Sequence, residues 1–129
     1  RRLAYSLIQE PSMASNQGGW INNVTRLAIY QRDGMACVWC KRGIECKGVI
    51  LSLDHIICVS SAGSTNAASN LITCCKQCNE QRGTKSVAEF ALIITRNEDR
   101  ARNLRRVIRY HLAKPLDREA ARATIASRA

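Results

Sequence analysis

Aromatic residues are scarce in this chain: two Trp, three Tyr and one Phe among 129 residues. A surface on which successive bases stack needs several exposed rings, so a single-strand-binding platform of that kind is poorly supplied. Acidic residues are few as well. Asp and Glu total 10 against 20 Lys and Arg, a formal charge of +10. Such an imbalance in a small protein favours a polyanionic partner, most often nucleic acid, although membranes and acidic proteins also attract cations. No apolar run reaches the length needed to cross a bilayer, so no membrane partner is expected. The opening "RRLAYSLIQEPSMASNQGG" has neither the apolar stretch nor the cleavage site of a secretory leader. It starts on Arg1 rather than Met, which leaves a fragment of a longer protein or a processed chain open. Seven cysteines, an odd number, do not fit the paired framework of a secreted disulfide domain. An intracellular, reducing location is expected instead (the cytoplasm, or a host cell's cytoplasm if the gene is a phage's), with some thiolates on metal.

The length suits one domain with a short appendage. Residues 1–19 carry a weak helical spacing at Leu3, Leu7 and Ile8 and end in "SMASNQGG", which reads as a linker or a docking arm. In "WINNVTRLAIYQRDGMACVWC", Asn23 is expected to cap a short helix carrying Val24, Leu27 and Ala28, which Asp33-Gly34 ends in a turn. Residues 48–57, "GVILSLDHII", are apolar and β-branched and predict a strand. A polar loop at 60–69 and a second strand in "NLITCC" follow, then a helix from Lys76 through Phe90. In "DRARNLRRVIRYHLA", Ala101, Leu104, Ile108 and Leu112 form an apolar stripe flanked by Arg102, Arg105, Arg106 and Arg109. Pro115 interrupts the helical pattern before a last helix in "LDREAARATIASRA". The fold class is α+β. The expected division is an arm or linker at 1–19, a core at 20–95 and a basic helical extension at 96–129.

Cys37-x-x-Cys40 and Cys75-x-x-Cys78 have knuckle spacing, which turns both thiolates of each pair toward one ion. Two knuckles make a closed tetrahedral site, structural rather than catalytic, and Zn²⁺ suits it. The 34 residues between them exceed zinc-ribbon spacing and hold an inserted strand and loop. Cys74 in place of Cys75, Cys46 as a member, and disulfides instead of a metal all remain open. Trp39, inside the first knuckle, is expected to cover the metal site.

Asp54-His55 lies in the insertion. A neutral histidine deprotonates an attacking water when its other ring nitrogen is held by an acceptor, here Asn70 or a loop carbonyl. Asp54 offers oxygen to a hard cation. Neighbours on a strand leave opposite faces, so both reach one site only where the strand ends or twists. An oxygen-rich site with few protein ligands suits Mg²⁺ and phosphodiester hydrolysis.

The run "CVWC…LDHII…SAGSTN…SNLITCCKQCNEQRG", with the lead-in "RLAIYQRDGMACVWC", resembles the HNH endonucleases, the ββα-metal nucleases, over roughly residues 26–90. The resemblance implies a small ββα-metal core with zinc knuckles, flanked by N- and C-terminal helices. It implies catalytic roles for His55 (general base), Asn70 (ordering the loop and orienting His55) and Asp54 (metal ligand). Asn79 stands where the motif has its last histidine and is the implied second ligand, an H-N-N variant similar to the nuclease domain of RNA-guided CRISPR effectors. A neutral amide there disfavours softer metals and leaves Mg²⁺ or Mn²⁺. After Ile57 the chain has Cys58-Val59 and lacks the proline many relatives carry.

Arg82 and Lys85 follow on the same helix. They suit phosphate contacts beside the metal, or simply a solvated basic face; the same choice holds for Arg102, Arg105, Arg106 and Arg109. His111 reads as an incidental helix residue. The expected activity is metal-dependent hydrolysis of DNA phosphodiesters, with RNA left open as substrate. A non-catalytic, zinc-stabilised nucleic-acid-binding module is the alternative. One active site makes a nick, so a double-strand break needs a homodimer, two successive cuts or a place in a larger nuclease assembly.

Overall fold

The computed structural model describes residues 21–58 and 62–128; the expected arm at 1–19 lies outside them. Helix α1 spans Asn23–Arg32. Strand β1, Leu51–His55, pairs antiparallel with β2, Leu71–Cys75, in the register Leu51 with Cys75 and His55 with Leu71. A 3-10 turn, Ala68–Asn70, leads into β2. Helices α2 (Lys76–Arg82), α3 (Val87–Thr95), α4 (Glu98–Ala113) and α5 (Arg118–Ala126) follow. The expected α+β class, with a strand–loop–strand–helix core and helices before and after it, is what forms.

Local chemistry moves several boundaries. The cap of α1 is Asn22, not Asn23: its Oδ1 accepts from Thr25 N at 2.8 Å. Both asparagines suit a cap. The first strand is only five residues long, because its pairing partner is no longer. The helix expected from Lys76 through Phe90 is two helices. Gly83, at φ 54° and ψ −124°, occupies backbone space essentially reserved for glycine and stops α2. Ser86 restarts the chain, its hydroxyl accepting from Glu89 N at 3.1 Å.

The hairpin is buried on both faces. Thr73 Oγ1 donates to Ile29 O and Tyr30 Oη donates to Leu51 O, which ties α1 to one face. The opposite face carries Ser52, Asp54 and Cys74, and α2 lies across it. Ala101, Leu104 and Ile108 of α4 enter the same core as Leu51, Ile72 and Phe90, and Ala121 of α5 packs with Leu27 and Ala28. A buried ion pair anchors α1 to β2. Arg32 grips Asp33 at 2.7 Å and donates to Leu71 O, while Asp33 Oδ2 accepts from Thr73 N at 2.8 Å. That carboxylate satisfies a strand donor that β1 does not reach.

Candidate functional site

The two knuckles converge. The sulfurs of Cys37, Cys40, Cys75 and Cys78 lie within 4.8 Å of one another. A tetrahedral ion with bonds of about 2.3 Å to sulfur would set neighbouring sulfurs about 3.8 Å apart. Cys40 Sγ and Cys75 Sγ are 3.8 Å apart. Each knuckle closes on itself, Cys40 N donating to Cys37 Sγ and Cys78 N to Cys75 Sγ, both at 3.4 Å. Val38 N donates to Thr73 O at 2.9 Å and pins the first knuckle on β2. The four sulfurs therefore fit a tetrahedral thiophilic ion such as Zn²⁺. Arg42 is a contributor that spacing did not reveal: it donates to Cys40 Sγ at 3.3 Å and to Cys75 Sγ at 3.5 Å, offsetting thiolate charge. Within the cluster the Cys78 thiol donates to Cys37, which holds Cys37 down at about 5 and pushes Cys78 up. Cys74 points to the other face, beside Ser52, and burial raises its thiol. Cys46 is exposed and, like Cys74, lies outside the cluster.

Asp54 points from β1 toward α2. Its Oδ1 accepts from Arg82 Nη1 at 2.7 Å and its Oδ2 from Trp39 Nε1 at 2.9 Å. Trp39 thus holds this carboxylate and packs edge-on against Phe90, 4.9 Å between centroids, a role its place inside the knuckle did not suggest. Asn79 projects from α2 to the same face, its Nδ2 donating to Ser52 Oγ at 3.4 Å. Asp54 and Asn79 therefore share the β1–α2 interface.

His55 leaves the other face of β1 and is the strand's last residue. It is half-buried, with Nε2 2.8 Å from Asn66 Oδ1. With that oxygen accepting, Nε2 carries the proton and Nδ1 is the basic nitrogen. The acceptor is thus Asn66, where the sequence left Asn70 or a loop carbonyl open. Asn70 is buried and orders the loop. Its Oδ1 accepts from Ile57 N at 2.8 Å, and its Nδ2 donates to Thr65 O at 2.8 Å and Ile57 O at 3.3 Å. It ties Ile57, two residues after His55, to Thr65 of the loop without bonding the ring.

Arg82 corrects an expectation. It is 1% exposed and cannot receive a phosphate from solvent. All five guanidinium donors are engaged: Nε with Lys85 O, Nη1 with Asp54 Oδ1 and His55 O, Nη2 with Ile56 O and Cys58 Sγ. Its role is to clamp the end of β1, where His55 sits. Lys85 is half-buried, its Nζ donating to Gln81 O at 3.2 Å. On α4, Arg102, Arg106 and Arg109 are exposed and Arg105 half-buried. Arg102 pairs with Asp99 at 3.0 Å and Arg106 donates to Asn103 at 2.9 Å, interactions weak enough to yield to another anion. His111 is less incidental than its sequence setting suggests: its Nδ1 lies 3.1 Å from Asp33 Oδ1, and burial, opposed by Asp33, lowers its pKa.

Among the described residues no helix is long and apolar enough to cross a membrane. Residues 37–92 match a family model described as HNH endonuclease. The chain is also similar to the CRISPR-associated endonuclease Cas9 of Actinomyces naeslundii, 30% identical over 69 residues, which is 54% of this chain and 6% of that protein. No solved structure matches the chain significantly. The matched segment holds both knuckles, both strands, His55, Asn70 and Asn79, so over residues 37–92 the chain is similar to the HNH endonuclease family, here with a four-cysteine cluster fit for metal.

Proposed function

We propose that the chain is a metal-dependent endonuclease that hydrolyses DNA phosphodiester bonds, with His55 as general base and Zn²⁺ in the four-cysteine cluster as a structural ion. The observation that carries this reading is the placement of His55. It closes β1, its backbone carbonyl is gripped by Arg82, and Nε2 is held by Asn66, leaving Nδ1 to take a proton. Similarity to a CRISPR-associated endonuclease supports the same reaction class.

The donors near β1 suit a hard cation. Asp54 and Asn79 offer oxygen only, and each Asp54 oxygen, accepting one hydrogen bond, keeps a second lone pair. When bound, Mg²⁺ or Mn²⁺ supplies charge stabilisation for the phosphate and its leaving oxygen. Asp54 and Asn79 would hold it. His55 accepts the proton of the attacking water, Asn66 fixes the tautomer, and Asn70 keeps the loop against the strand end. Lys85, Arg102, Arg105, Arg106 and Arg109 are proposed to bind the nucleic-acid backbone, and RNA stays open as a substrate. A single site of this kind cuts one strand, so double-strand cleavage would come from a homodimer or a larger assembly. An intracellular setting belongs to the proposal, because it keeps the thiolates reduced.

The Asp54–Arg82 ion pair favours a second reading, because it already neutralises the carboxylate: a non-catalytic, zinc-stabilised module that binds nucleic acid. Supercoiled plasmid incubated with zinc-loaded protein and Mg²⁺, Mn²⁺ or no added divalent ion separates the two. Metal-dependent nicked circles are expected, with Asn79→Ala needing more Mg²⁺ for the same rate. Plasmid that is bound but intact under every condition supports the module.

A further inference from the structure

Three arginines are buried among the described residues: Arg26, Arg32 and Arg82. Two have a buried carboxylate within 2.7 Å, Asp33 for Arg32 and Asp54 for Arg82. Arg26 has none among the described residues. It is 9% exposed, and its Nε is buried without a hydrogen-bond partner. Among the described residues its Nη1 reaches only Tyr30 Oη, at 3.4 Å, a neutral oxygen whose own proton goes to Leu51 O. An arginine stays protonated, and a buried cation without an anion is costly. Such a group is explained if its anion arrives from outside.

The side chain has somewhere to receive one. Arg26 lines an open cleft of about 390 Å³ together with Leu51 and Ser52 of β1 and Lys76, Asn79 and Glu80 of α2. Lys76 adds a second positive charge. Asn79, a proposed ligand of the hard cation, lies on the same wall. A neighbouring cleft of about 230 Å³ shares Ile50, Lys76 and Glu80 and continues toward Arg42. Arg42 is already engaged by Cys40, Cys75 and Gln77 and is no candidate for the same role. Glu80, the acid in the cleft, is exposed and works against an anion there.

We propose that Arg26 and Lys76 form a phosphate subsite, in which a phosphodiester of the DNA backbone supplies the missing anion of Arg26 beside Asn79. The proposal rests on the nuclease reading for the identity of its ligand. Arg26 is a binding and positioning residue, held apart from the proton transfer at His55.

The test uses the full zinc-loaded chain carrying His55→Ala, a fluorescent DNA duplex and no added magnesium, with anisotropy read between 50 and 200 mM salt. Adding Arg26→Gln should weaken binding equally for unrelated sequences and make the slope of log affinity against log salt shallower by about one, the contribution of one neutralised phosphate. Arg26→Lys should keep most of the slope, Lys76→Gln should also flatten it, and Glu80→Gln should tighten binding. The melting temperature of Arg26→Gln should hold or rise, whereas an arginine with only a structural role would lower it. Unchanged affinity and slope in folded Arg26→Gln, or no duplex binding by the parent protein, overturns the proposal. Should Arg26→Gln not fold, the Nε–Hε resonance of Arg26, assigned through Arg26→Lys, decides. It shifts on duplex addition if the subsite exists and stays put if it does not. Failure of the nuclease reading looks different: the Arg26 slope is present, but the protein with native His55 never cuts.

Discussion

Arg82 commits every donor it has to the protein, and this decides what it can do. Three backbone or side-chain acceptors at Asp54, His55 and Ile56 converge on it at 2.7–2.9 Å. Removing one partner of a buried charge pair leaves the other charge unpaired, at a cost of roughly 3–5 kcal/mol. Arg82→Met is therefore expected to lose stability of that order in urea unfolding. Arg82→Lys should not restore it, because an ammonium cannot span these acceptors. A loss below about 1 kcal/mol would mean the clamp is dispensable. In the sequence this arginine resembles its exposed neighbours, since charge does not report burial. Trp39 is opaque for a similar reason: its proximity to two metal-binding cysteines suggests a metal cover, whereas its indole N–H is bound to Asp54. Asn66 is hidden in a polar loop whose path to His55 only the folded chain defines.

The elements are more legible than their joints. Knuckle spacing picks out Cys37, Cys40, Cys75 and Cys78, because two residues between thiolates is the gap that a tight turn around one ion requires. Spacing alone does not separate Cys75 from Cys74; strand alternation does, sending Cys74 toward Ser52. Cys75→Ser is thus expected to lose bound zinc and unfold the domain, since binding of a structural zinc, worth about 10–16 kcal/mol in finger peptides, is coupled to folding. Cys74→Ser should keep one zinc per chain. Elemental analysis with circular dichroism checks both, and equal zinc loss in the two variants would contradict the assignment. Apolar periodicity likewise finds Ala101, Leu104 and Ile108 of α4, all buried. It misses the break at Gly83, where residues 79–86, NEQRGTKS, offer no apolar spacing to follow and the glycine backbone stops α2.

At the scale of the molecule, a charge of +10 and the match to an HNH endonuclease model over residues 37–92 favour the proposed nucleic-acid partner by independent routes, one electrostatic and one chemical. Neutralising Arg102, Arg105, Arg106 and Arg109 together should flatten the salt dependence of DNA binding, by up to about 0.9 for each phosphate that the variant no longer binds. Little change should follow in stability, because three of the four are exposed. An unaltered slope would place the DNA-backbone interface elsewhere. The proposed reaction depends on the imidazole that ends β1. The most direct measurement is nicking of supercoiled plasmid in Mg²⁺ by the zinc-loaded chain and by His55→Ala at equal zinc content and equal melting temperature. Nicked circles from the former and none from the latter are predicted; equal cleavage by both, or none by either, would contradict the account.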